Sequence, residues 1–135
     1  MSFDPYIHFQ GNCREAMTAY QTIFGGTLQV SGYGDAPDAT QDAKASNLVM
    51  HAALTVGGRM LLASDFPPGF AGERQQAVTI SHIAASGSEA QRVFDLLSNG
   101  GAVIMPFAPT FWSDGFGMVK DRFGTHWMVS LPWRG

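Results

Sequence analysis

The chain has 135 residues, of which 45% are hydrophobic and 14% charged, with a formal net charge of −3. That length suits one compact fold with its own core. The acidic balance and the lack of a basic stripe argue against a nucleic-acid partner, and no apolar run reaches the length of a membrane span. The single cysteine, Cys13, rules out an internal disulfide, and the first residues carry no basic-then-apolar leader, so a cytoplasmic location is expected.

In chain order, residues 6–10 predict a strand in which Ile7 and Phe9 alternate with Tyr6, His8 and Gln10. Gly11-Asn12 breaks it, and Asn12 is placed to cap the helix that follows. Residues 13–24 put Ala16, Tyr20, Ile23 and Phe24 on one helical face, and Gly25-Gly26 stops the helix. A strand is predicted from residue 27 to about residue 33. Residues 34–45 form a polar loop without periodicity, and residues 47–56 and 59–64 form a hairpin around Gly57-Gly58. Residues 65–75, with Pro67-Pro68-Gly69, read as a crossing segment.

The order then repeats. A strand is predicted over residues 77–84 and a helix over residues 88–98, with Ser88 as its cap and Ala90, Val93, Phe94 and Leu97 inward. Asn99-Gly100-Gly101 ends that helix, and a strand begins at residues 102–105. The closing hairpin turns at Asp121-Arg122-Phe123-Gly124. Its last strand puts Trp127, Val129 and Leu131 on one face and His126, Met128 and Ser130 on the other. The repeated strand–helix–three-strand order predicts a duplicated module, residues 1–65 and 76–133, within one domain.

Several residues stand out for chemistry. His51 lies mid-strand, where it serves either as a satisfied histidine or as a base. His126 sits close to the closing turn, at the rim of any cavity. Phe111 and Trp112 are suited to wall a pocket or to seal a dimer. Asp65 and Asp121 have turn roles as their simplest reading. Cys13 opens a helix, where the dipole would lower its pKa, but no catalytic partner is readable nearby. There is no Gly-x-Ser-x-Gly, no paired zinc-type cysteine motif and no P-loop.

Taken in order, a set of short motifs resembles the PhnB-like branch of the glyoxalase/bleomycin-resistance/dioxygenase, or vicinal oxygen chelate, superfamily. They are Pro5-Tyr6-Ile7-His8-Phe9, Gly11-Asn12-Cys13-Arg14-Glu15-Ala16, Phe24-Gly25-Gly26, Tyr33-Gly34-Asp35-Ala36-Pro37, Met50-His51-Ala52, Gly57-Gly58, Ala63-Ser64-Asp65-Phe66-Pro67-Pro68-Gly69 and the closing hairpin. The resemblance implies an α+β fold of two βαβββ modules, forming a curved mixed sheet with helices on the outer face, in a homodimer. It implies a small-molecule ligand in the concave cavity.

Some such proteins carry a methyltransferase label. This chain has no Gly-rich strand-to-helix fingerprint for a nucleotide, so that label is not adopted. Metal-dependent members hold a divalent ion with His and Glu from both halves. Here alignment on the Gly124 turn puts Met128 at the carboxylate position, and a thioether suits hard ions poorly. His8 and His82 are the two ligands the resemblance supplies, with Asp65 or His51 as a third. No cofactor is therefore expected. The expected function is a binding protein or a metal-independent enzyme. A divalent-metal lyase, isomerase or dioxygenase and an interaction module with a vestigial cavity are the alternatives.

Overall fold

The computed structural model describes residues 1–134 as two compact units, 1–75 and 76–134. In the first unit the chain runs β1 (Tyr6–Phe9), α1 (Cys13–Phe24), β2 (Thr27–Gly32), α2 (Gln41–Ala45), β3 (Val49–Val56) and β4 (Arg59–Asp65). Its sheet has the order β1-β4-β3-β2, with β1 parallel to β4 and the other pairs antiparallel. The second unit runs β5 (Thr79–Ile83), α3 (Gly87–Ser98), β6 (Ala102–Ala108), β7 (Phe116–Lys120) and β8 (His126–Ser130). Its sheet order, β5-β8-β7-β6, repeats the first, again with one parallel pair. The fold is thus α+β, built from two βαβββ modules, each with its own mixed four-stranded sheet.

In each module an amphipathic helix covers one sheet face. From α1, Cys13, Ala16, Met17, Tyr20 and Ile23 are buried, as are Ile7, Phe9, Ala52, Leu54 and Ala63 of the sheet. From α3 the buried residues are Ala90, Val93, Phe94 and Leu97, with Val119, Trp127 and Val129 buried from the sheet. Burial of each larger apolar side chain contributes about 1.5–3 kcal/mol.

Four local expectations are corrected. Asn12 makes no side-chain cap; Asp65 replaces it, its Oδ1 accepting from the backbone N–H of Gly11 and of Cys13. Ser86, not Ser88, caps α3, accepting from Glu89 N–H. Segment 34–45 is not structureless. Residues Tyr33–Asp35 form a 3-10 turn, and Thr40 caps the short helix α2 through Ala43 N–H. The strand predicted from residue 77 begins at Thr79, because Ala77 has φ 61° and cannot continue a pleat.

Candidate functional site

β1 and β4 run parallel in register, so paired residues share a face. Ile7 pairs with Ala63 and Phe9 with Asp65, all four buried toward α1. Tyr6 pairs with Leu62 and His8 with Ser64, and these point away from α1. From β3, Ala53 opposite Leu62 and, two residues earlier, His51 join the same open face.

The side chains there form a continuous row of rings. The Tyr6 Oη lies 3.0 Å from His51 Nδ1, so the phenol can donate and leave Nε2–H of His51 free. The His8 ring is 5.2 Å from Tyr6 and stacks on Phe66 at 5.1 Å and 19°. Phe66 in turn meets Phe70 at 5.5 Å. Phe66 is held firmly. Its N–H donates to Phe9 C=O, and its ring fills the space a Cβ on Gly72 would need, 2.1 Å away. Gln10 Nε2 ties the same segment down by donating to Gly72 C=O at 2.5 Å. His8 makes no hydrogen bond to a described residue, so both of its ring nitrogens remain available.

Asp65 stands apart from this row. It is 1% exposed, and both carboxylate oxygens are committed: Oδ1 to Gly11 and Cys13 N–H, Oδ2 to Val49 N–H at 2.8 Å. Tyr33 Oη donates to the Asp65 backbone C=O, and burial followed by the Asp65 charge pushes the Tyr33 phenol pKa up. Burial likewise pushes the Cys13 thiol to about 12, with Asp65 adding to it. Any lowering by the helix dipole is overwhelmed, and Cys13 is a packing residue.

In the second module the parallel register puts His82 beside Val129 and Ile80 beside Trp127. Val129 opposes Gly117, whose Cβ position lies 2.7 Å from the Phe94 ring of α3. His82 therefore faces α3, and burial lowers its pKa, with Glu89 of α3 opposing and Arg92 adding to the shift. His8 and His82 thus occupy opposite faces of their respective sheets, and the module repeat does not make them equivalent.

His126 and Met128 do point away from α3, opposite Lys120 and Met118. Trp112 packs edge-on against Phe116 at 5.3 Å, with Phe111 edge-on to Trp112 at 4.8 Å. Asp121 is the turn residue expected and more: Oδ1 accepts from Phe123 and Thr125 N–H, and Oδ2 accepts from Trp127 Nε1 at 2.8 Å.

The structure therefore brings His8 and His51 together through Tyr6, a residue not singled out beforehand. Its signal was the alternation that places Tyr6 and His8 on one side of β1. Phe66 and Phe70 lay in a Pro-Gly segment with no period to reveal their direction.

Residues 1–130 match the family model described as 3-demethylubiquinone-9 3-methyltransferase. The protein YjdN of Escherichia coli K12 is 31% identical, over 97% of this chain and 95% of its own length. The crystal structure of PA1353 from Pseudomonas aeruginosa is 42% identical with a TM-score of 0.89, covering 98% of both chains. A structure from Bacillus cereus, a putative 3-demethylubiquinone-9 3-methyltransferase called PhnB protein, shares the fold. Its TM-score is 0.70 at 24% identity, over 97% of this chain and 99% of that one. The match over residues 1–130 shows that the chain belongs to the family described as 3-demethylubiquinone-9 3-methyltransferase, and its repeated βαβββ fold is shared with a glyoxalase/bleomycin resistance protein/dioxygenase family enzyme from Burkholderia phytofirmans, at a TM-score of 0.64 and 10% identity over 95% of both chains.

Proposed function

We propose that the chain carries a small-molecule site on the open face of its first module, used for binding or for metal-independent chemistry. The observation that supports this reading is the Tyr6–His51 hydrogen bond of 3.0 Å, flanked by a His8 ring stacked on Phe66. Such a row offers ring faces for stacking and imidazole edges for hydrogen bonding, the mixture common in ligand sites. Asp65 does not take part, because its oxygens are used by the backbone. The family's methyltransferase description is not carried over. Both sheets are mixed βαβββ sheets, and neither module has the doubly wound parallel sheet with a Gly-rich strand-to-helix turn that a nucleotide-binding unit carries. The reading includes a homodimer in the cytoplasm, which light scattering and fractionation test.

A panel of small aromatic compounds, screened by ligand-observed NMR, tests the site. Ligands are expected to lose about tenfold or more in affinity in His8→Ala and in Tyr6→Phe, with unfolding midpoints nearly unchanged. Hits that bind both variants as well as the parent protein would remove the site from this face.

A divalent-metal enzyme has less support. Among the described residues no three His, Cys, Asp or Glu side chains form a group able to hold an ion. Elemental analysis and titration with Zn²⁺, Ni²⁺, Mn²⁺ and Fe²⁺ decide the matter: stoichiometric uptake lost in His8→Ala would restore the metalloenzyme.

A further inference from the structure

The open face of the second module has a different character. Across β7, β8 and β5, the cross-strand rows read Phe116–Ser130–Ile83, Met118–Met128–Ser81 and Lys120–His126–Thr79. These nine residues include no carboxylate. The nearest acid in sequence, Asp121, is buried against Trp127 Nε1 and the turn amides. The middle row continues onto the edge strand, where Met105 pairs with Met118 between two register irregularities of β6. Three of the chain's seven methionines thus stand side by side on three neighbouring strands.

These methionines are not part of the core beneath α3, which is supplied by Val119, Trp127 and Val129. Met105 is 41% exposed, and Met118 and Met128 are half-buried. Facing side chains on adjacent strands have Cβ atoms about 5 Å apart. Flexible thioethers from the two outer strands can therefore lean toward the middle one and bring three sulfurs onto one point. His126 lies two residues from Met128 on the same face and adds an imidazole at the edge of that point.

We propose that Met105, Met118 and Met128, with His126 as a fourth donor, form a binding site for a soft monovalent cation of the copper(I) class. Thioether sulfur is a soft, uncharged donor that selects copper(I) over zinc, manganese or magnesium, and imidazole is compatible with it. The missing carboxylates remove the donors that hard ions require. This site lies in the other module from the one proposed above and does not depend on it.

The test is a titration of the full chain with silver(I), a redox-inert probe of the same class, in chloride-free buffer. Copper(I) competition against a chelator of known affinity follows. Saturation at one ion per chain is expected, with affinity falling more than about tenfold in Met118→Leu and in Met128→Leu, since loss of a ligand costs at least as much as loss of an outer partner. Leucine conserves volume, so the fold should persist, and circular dichroism checks it. In the unsubstituted protein the ε-methyl NMR signals of Met105, Met118 and Met128 should move together with silver(I) and stay in place with zinc(II). That readout stands even where a variant fails to fold. Absence of uptake, uptake unchanged in both leucine variants, or uptake lost only in Cys13→Ser would each overturn the proposal.

Discussion

Two buried aspartates do most of the local organising, and neither does it as a turn residue alone. Asp65 ends β4 yet caps α1 across the module, and its second oxygen anchors the start of β3. Asp121 closes the last hairpin and fixes the indole of Trp127 in the core. Asp65→Ala would strand three backbone N–H groups, two of them in buried hydrogen bonds, so a loss of about 3 kcal/mol or more is expected in urea unfolding. A loss below about 1 kcal/mol would mean that water or Asn12 takes over the cap. His82 gives a second prediction. Burial lowers its folded pKa, so as pH falls from about 7 toward 5 the unfolded chain takes up the proton first and stability drops through that window. His82→Gln should make the stability profile shallower between those pH values. An unchanged slope would place the pH sensitivity elsewhere. A histidine in the sequence says nothing of this, because its pKa depends on which sheet face it occupies.

The elements themselves are largely written in local pattern. α1 spans residues Cys13–Phe24, as its apolar spacing and the following Gly25-Gly26 predict, and the Gly57-Gly58 hairpin falls where expected. The glycine pair after each helix has a tertiary reason as well. A Cβ on Gly26 would sit 2.1 Å from Thr55 C=O, and one on Gly101 would sit 2.3 Å from Lys120 C=O. Helix and hairpin approach each other closely in the same way in both modules. Gly26→Ala, which also meets φ +86°, and Gly101→Ala are each expected to cost more than about 2 kcal/mol, read as a lowered thermal midpoint. Losses at both positions, larger at Gly26 by its φ strain, are what equivalent contacts predict, whereas a neutral Gly101→Ala would show that the repeat does not extend to this contact. Segment 34–45 escaped the pattern because α2 is too short to display a period, and its cap, Thr40, is one polar residue among many.

At the scale of the whole molecule, the chain repeats one topology in two modules that differ in what they display. Both modules keep the strand order, the single parallel pair and the helix over one face. On the opposite face the first presents a phenol, imidazoles and phenyl rings, and the second presents methionines, a lysine and a histidine. No helix among the described residues is long and apolar enough to cross a membrane. The sequence by itself determined the βαβββ repeat, the helices and their inward faces, because hydrophobic period and glycine stops are local signals that a short window contains. It also put Tyr6 and His8 on one side of β1. Only the tertiary structure decided that Tyr6 reaches His51 across 45 positions, that Asp65 is consumed as a cap, that His82 turns toward α3, and that Met105, Met118 and Met128 form one row. Those outcomes depend on strand register and bulges, set by pairing between distant segments, and a shift of a single residue would send each side chain to the other face.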